Sequence, residues 1–243
     1  MTIGFPHSRL VARLQAIASL DQADAARIAQ LPIRVQNLPS GHDIAREGDR
    51  VDQCCMLVDG YLMRHKVGAE GKRQIVSWHV PGDVPDLYSL HLNPMDHNIT
   101  TLGPAVAGYI AHDALNAMLN TSASLTHILW RETLVDAAAF REWVVSLGQR
   151  GALARIAHML CELLARLRVV GLAPGNSFVF PASQTDVADA TGMTPVHANR
   201  MIQQLRAKGL VTWDGASIGI PDPAALAVLA EFNDDYLHLR HPA

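Results

Sequence analysis

The 243-residue sequence is short of cysteine: it has three, and none precedes Cys54. Three thiols cannot build a disulfide framework. Cys54 and Cys55 are adjacent in a segment of strand character, so they face opposite sides and cannot chelate one ion together. Cys161 falls in a helical pattern. All three read as buried thiols of a reducing compartment. An excess of positive charge is missing too, since 20 Lys and Arg against 23 Asp and Glu leave a net charge of −3. Nucleic-acid binding gains no global electrostatic support from this, although a local patch over a few phosphates suffices for it. No apolar run reaches the length that crosses a bilayer. The opening "MTIGFPHSRLVARLQAIASL" carries Arg13 inside its apolar stretch and has no small-residue cleavage pattern. A cytoplasmic protein that does not engage membranes is expected. Catalytic signatures are absent as well: there is no phosphate-binding loop, nucleophile elbow, dinucleotide fingerprint or His-Glu-x-x-His pair. With "HLNPMDH" as the one local cluster, neither an enzyme nor a metal site is expected, and no cofactor is implied with certainty.

What is present is an apolar share of 49% beside 18% charged residues, enough for a proper core. Leu10, Leu14, Ile17 and Leu20 have helical spacing, and a second short helix should follow Asp21. From about Ile33 the texture changes. Gly48, Gly60, Gly71 and Gly82 recur 12, 11 and 11 residues apart, with "CCMLVDG", "YLMRHKV" and "RQIVSWHV" between them. Short strands punctuated at that interval argue an antiparallel sandwich or barrel, because a parallel crossover needs more chain than the gaps hold. The segment "SASLTHILWRETLVDAAAFREWVVSLG" then runs without proline, and without glycine before its last residue. Fully helical it would span roughly 38 Å, with Thr121, Ser122 or Ser124 as N-cap. Two apolar stripes can be traced on it. One takes Ile128, Val135, Ala138 and Val145; the other takes Trp130, Leu134, Ala137 and Val144. A helix apolar on two faces needs two partners. The expectation is that one stripe packs at home and the other on a second copy, with Ile128, Val135, Ala138 and Val145 as the dimer interface.

After Gly148 another helical block, "ALARIAHMLCELLARLRVV", leads through a loop and a short strand to "SQTDVADATGMTPVHANRMIQQLRAKGLV". Ser183 and Asp186 form a capping-box-like start. Gly192 suits a turn that needs positive φ. Thr194 is then a good N-cap, with Pro195 at the first helical position. In the second helix Ala198, Met201, Ile202 and Leu205 share one face. Val196, Asn199, Arg200, Gln203 and Gln204 share the other, whose amides suit adenine edges and whose Arg suits guanine. "GLVTWDGASIGI" adds two short apolar runs about Asp214-Gly215, a hairpin signal. The whole reads as a winged helix-turn-helix. Its expected DNA-contacting residues are Thr194, Val196, His197, Asn199, Arg200, Gln203 and Lys208, with Arg200, Arg206 and Lys208 supplying local positive charge.

The order of parts resembles the Crp–Fnr family of bacterial transcription regulators over nearly the whole chain. The residues that carry the likeness are "GHDIAREGDR", "CCMLVDGYLMR", "GKRQIVSWHVPGDV", "ARIAHML" and the helix-turn-helix, in that order. The resemblance implies an α+β protein with a sensor β-roll and N-terminal helices over residues 1–121. A dimerisation helix over 122–148 and a winged helix-turn-helix over 149–243 follow. It also implies a homodimer on palindromic double-stranded DNA, and leaves RNA polymerase open as a further partner. Cyclic-nucleotide members carry a Gly-Glu pair after the PGD turn and then an Arg followed by a small polar residue. Here that region reads "PGDVPDLYSLHLNPMDHNITTLG". Pro85-Asp86 falls near the pair, His97-Asn98 falls at the Arg position, and no Arg occurs between Arg73 and Arg131. A buried phosphate wants a permanent forked cation, which His does not supply at neutral pH. Asp83, Asp86, His97 and Asn98 are the candidate effector-pocket residues, for an unknown small molecule rather than cyclic AMP. Haem sensing through His79, His91 or His97, cyclic-nucleotide sensing, and a ligand module whose C-terminal part makes only protein contacts are the alternatives. In the recognition helix Pro195 and Val196 replace the family's Arg-Glu pair, and only Arg200 matches a base-reading Arg.

Overall fold

Leu10, Leu14 and Ile17 form the buried face of helix α1 (His7–Ile17), and Asp21 caps α2 (Gln22–Ala29) by accepting from the Asp24 N–H at 2.7 Å. The computed structural model describes residues 4–240. It divides into two units, one of Met1–Arg64, Trp78–Ala138 and Leu237–Ala243, the other of His65–Ser77 and Ala139–Tyr236. Seven strands follow the first two helices: β1 (Arg34–Leu38), β2 (Asp43–Ala45), β3 (Gln53–Asp59), β4 (Leu62–Val67), β5 (Arg73–His79), β6 (Asn98–Thr101) and β7 (Ala105–Ala111). They make a three-stranded sheet in the order β1-β7-β3 and a four-stranded sheet in the order β2-β6-β4-β5. β7 pairs antiparallel with both β1 and β3.

Strand β3 is buried on both faces. Cys54, Met56 and Val58 join a core with Leu10, Leu14, Ile28, Leu115, Leu125 and Ile128, which come from α1, α2, α3 (His112–Leu119) and the start of α4 (Ala123–Gln149). Cys55 and Leu57 face Leu38, Leu62, Met95, Ile99 and Ala107 in a second core. The two adjacent cysteines thus point apart, and all three cysteines are free and buried. All four punctuating glycines have positive φ. At Gly60 the requirement is double: φ is +84°, and a Cβ would stand 2.7 Å from the Pro104 carbonyl oxygen.

Helix α4 begins at Ser122, whose Oγ accepts from the Leu125 N–H at 3.1 Å. Its stripes divide differently from expectation. Ile128, Val135 and Ala138 are buried within their own chain, and Ile128 joins Leu125 and Leu129 in the core shared with α1 and β3. They therefore have no surface to offer a second copy. Of the stripe expected there, Val145 alone is exposed; Trp130, Leu134 and Val144, on the other stripe, are 61, 55 and 56% exposed.

The second unit contains α5 (Ala152–Val169), β8 (Ser177–Val179), α6 (Gln184–Thr191), α7 (Pro195–Ala207), β9 (Thr212–Asp214), β10 (Ser217–Gly219) and α8 (Pro223–Ala230). Its small sheet has the order β8-β10-β9. In α5 the Glu162 carboxylate is buried, and it accepts from Trp143 Nε1 at 3.0 Å, Tyr236 Oη at 2.8 Å and Arg166 Nη1 at 3.3 Å. The hydrogen bonds offset the desolvation that would otherwise make a buried carboxylate prohibitive. Among the described residues, no helix is long and apolar enough to cross a membrane.

Gly60→Ala should lose about 2–4 kcal/mol in urea unfolding, through backbone strain and the carbonyl clash together. Gly71→Ala also has positive φ, but open space for a Cβ, so it should lose only the backbone penalty of about 1–2 kcal/mol. Equal losses at the two sites would show that the close approach at Gly60 carries no weight.

Candidate DNA-reading surface and effector region

The Ser183 capping box closes both ways: Ser183 Oγ accepts from the Asp186 N–H at 3.1 Å, and Asp186 Oδ2 accepts from the Ser183 N–H at 2.9 Å. α6 ends at Gly192 with φ of 63°, and Thr194 restarts the chain as α7 by accepting from the His197 N–H at 3.2 Å. Ala198, Met201, Ile202 and Leu205 are buried, which turns the opposite side of α7 outward. Val196, Arg200 and Gln203 are exposed, Asn199 and His197 are half-buried, and Thr194 and Lys208 are exposed at the two caps. Side chains on this surface are linked to one another. Gln184 Nε2 and Gln203 Nε2 both donate to Asn199 Oδ1, at 3.3 and 3.4 Å, and Arg206 Nη1 donates to Gln203 Oε1 at 3.2 Å.

The tip of the β4–β5 hairpin belongs to this same unit. From it Arg73 reaches two carboxylates of α6, with Nε 2.8 Å from Asp189 Oδ2 and Nη2 2.5 Å from Asp186 Oδ1. Gln74 Nε2 donates to the Asp189 carbonyl at 2.6 Å. One guanidinium thus bridges the two acids of the first helix of the motif and offsets one of their two charges, and Asp186 serves cap and clamp at once. The sequence pattern held no sign of this clamp, which joins residues more than a hundred positions apart.

Each of the four expected effector-pocket residues is engaged by groups of its own chain. Asp83 Oδ2 accepts from the Val80 N–H at 2.9 Å, and its carboxylate lies 3.3 Å from Arg13 Nε and 3.4 Å from His79 Nδ1. Arg13 also donates to Glu132 at 3.0 Å, completing a buried ionic cluster. Burial, seconded by the Arg64 charge, pushes His79 down to about 4, so it is neutral at pH 7. Both oxygens of Asp86 accept from the Cys55 N–H, at 2.8 and 2.9 Å. His97 Nδ1 lies 2.8 Å from Asp96 Oδ1, and Asn98 Oδ1 accepts from the Glu47 N–H at 3.1 Å. Each of the four holds its own chain in place.

A cation that the sequence reading missed lies among them. Arg64 Nη1 is 2.6 Å from Asp136 Oδ2, and Nη2 donates to the Pro85 carbonyl. Strand alternation was the available signal, since Arg64 shares a face of β4 with the fully buried Leu62. The Arg64 guanidinium, which acts on both Asp86 and His97, is already engaged by Asp136, so an anion binding here would compete with that ion pair. Among the described residues no group of three or more His, Cys, Asp or Glu could hold a metal ion.

A roll of two sheets, a long helix and a winged helix-turn-helix define a DNA-binding regulator with a sensor-type domain. Two family models match the chain in that order, a cyclic nucleotide-binding domain over residues 35–122 and a Crp-like helix-turn-helix domain over residues 154–229. The chain belongs to the Crp–Fnr family of transcription regulators. It is 26% identical over 215 residues to the nitrogen fixation regulation protein FixK of Bradyrhizobium diazoefficiens, covering 88% of each chain. It is 24% identical to the transcriptional activator protein FnrL of Cereibacter sphaeroides, over 90% of this chain and 88% of that one. Among solved structures, FixK2 from Bradyrhizobium japonicum superposes with a TM-score of 0.73 at 22% identity, over 82% of this chain and 98% of that one.

Burial raises the Asp86 carboxyl from 3.8 to about 7. The folded state therefore keeps a proton that the unfolded chain releases, and the contribution of this group to stability is lost as pH rises from about 4 to about 7. Asp86→Asn can still accept the Cys55 N–H but does not ionise. Its stability relative to the parent should grow by about 2 kcal/mol between pH 5 and pH 8 in urea titrations. A difference that stays constant over that range would mean that Asp86 ionises in the fold without cost.

Proposed function

We propose that the protein acts as a cytoplasmic homodimer that reads a two-fold symmetric operator through the outer face of α7, with a roll that responds to something other than a cyclic nucleotide. The observation that carries this is the make-up of that face: it is polar and exposed, and Arg200 is the one charged residue on it within the interior turns of the helix. Arg200 can fork onto guanine, while Lys208, at the helix end, is suited to phosphate. Dimerisation is supported by α4, whose exposed stripe of Trp130, Leu134 and Val144 runs along one long helix. A stripe of this kind is self-complementary about a two-fold axis and suits the symmetry of a palindromic site.

The wild type should sediment at twice the chain mass at micromolar concentration, and Trp130→Glu/Leu134→Glu at the single-chain mass with weakened operator binding. A wild-type monomer that binds DNA equally well would sink the dimeric reading. In binding-site selections at matched salt, Arg200→Ala should lose about 1–3 kcal/mol per half-site and relax one operator position. Lys208→Ala should weaken all sequences alike and flatten the salt dependence. If Arg200→Ala selects the same operator with unchanged preference at every position, Arg200 does not read a base.

A further inference from the structure

Asparagine on a recognition helix ordinarily suits adenine, because its amide can accept from N6 while donating to N7. That pairing requires a free Oδ1. On α7 the Oδ1 of Asn199 already accepts from Gln184 Nε2 and Gln203 Nε2, and a carbonyl oxygen has two lone pairs to offer. The direction of the ladder is fixed at its far end. Arg206 has donors only, so Gln203 must turn its Oε1 toward Arg206 Nη1. Its amino group then faces Asn199, and Asn199 must answer with its carbonyl. Gln184, on α6 and outside the recognition helix, makes the second contact to the same oxygen.

We propose that Gln184 and the Arg206–Gln203 pair hold the Asn199 carbonyl inward, so that Asn199 shows DNA only its amino donors and reads guanine in place of adenine. Guanine places two acceptors, N7 and O6, side by side in the major groove; adenine places an acceptor beside a donor, and the adenine donor meets no acceptor here. Arg200, one residue further along, is also a donor-only group. The two neighbours together describe a half-site with guanines rather than the mixed pattern that free amides would favour. The proposal rests on the reading of α7 as the helix that enters the groove.

The test is a binding-site selection with the full-length protein. Asn199→Ala identifies the position that Asn199 reads, by loss of preference there. The wild type should select guanine at that position over adenine by roughly tenfold or more. In Gln184→Met/Arg206→Met, which keeps side-chain bulk but removes the polarising donors, preference at that one position should move to adenine. Gln184, Asn199 and Arg206 are not core residues, and circular dichroism checks that the variants are folded. Adenine selected by the wild type overturns the proposal, and so does an Asn199→Ala variant that loses no preference. Uniform weakening of the double variant with guanine retained also overturns it, since Gln184 and Arg206 would then be phosphate contacts. A wild type that selects no operator at all defeats the DNA-reading assignment itself, a result distinct from selecting the wrong base.

Discussion

Strand β3 lies at the edge of its sheet yet is buried on both faces, and the free edge of a buried strand cannot leave its backbone groups unpaired. The segment that closes this edge is the turn after β5. The Leu57 N–H donates to the Asp83 carbonyl at 2.9 Å, the Gly82 N–H donates to the Leu57 carbonyl at 2.7 Å, and the Cys55 N–H is met by the Asp86 carboxylate. Gly82 has φ of +101°, and a Cβ there would stand 2.8 Å from the Arg9 carbonyl oxygen, so the turn also lies tight against α1. Much of the first unit follows from this closure. Asp83, fixed by the turn, carries a charge into the interior, and Arg13 from α1 meets it. Glu132 from α4 then shares Arg13. Three elements distant in sequence are thereby joined around one ionic cluster.

The same closure occupies polar groups in the region answering to the family's effector cassette. Asp86 satisfies a strand edge, and the Arg64 cation close to it is held by Asp136 and the Pro85 carbonyl. The Arg64 end of this pair is largely covered, while the Asp136 end is partly open to solvent. An effector acting here must offer something at least as good as Asp136 to Arg64.

The sequence was most legible where local chemistry decides the structure. The capping box at Ser183, the turn at Gly192, the Thr194 cap with Pro195 and the hairpin at Asp214-Gly215 each depend on residues within a few positions of one another, and each appears as expected. The opposed faces of Cys54 and Cys55 followed from the strand period alone. What was not legible involves partners far apart. Two stripes on α4 looked equivalent as sequence, since helical periodicity says which residues share a face but not which face meets the core; α1, β3 and the Leu125–Ile128 turn settle that in favour of Ile128, Val135 and Ala138. The candidate effector residues show the same division: Asp83 bonds to Val80 and His79, and His97 to Asp96, all close in sequence, whereas Asp86 and Asn98 meet the distant Cys55 and Glu47 N–H groups and Arg13 reaches Asp83 from α1. Arg64 lies on β4, well before the stretch that follows the PGD turn, so linear order does not place it beside Asp86.

Charge on the helix-turn-helix shows why a net value of −3 decides little about nucleic acid. The acids of α6, Asp186 and Asp189, would oppose a phosphate approaching the motif if they were bare. Arg73 contacts both at hydrogen-bond distance, so the hairpin tip offsets part of the negative charge of α6 without adding a basic residue to the motif itself. Arg200, Arg206 and Lys208 supply positive charge on the motif, and Asp214 of the wing lines the same pocket as Arg206. Arg206 does more than contribute charge: by fixing the polarity of Gln203 it reaches the orientation of Asn199 one turn away. On this face a charged side chain thus sets the direction of the hydrogen bonds among its neutral neighbours.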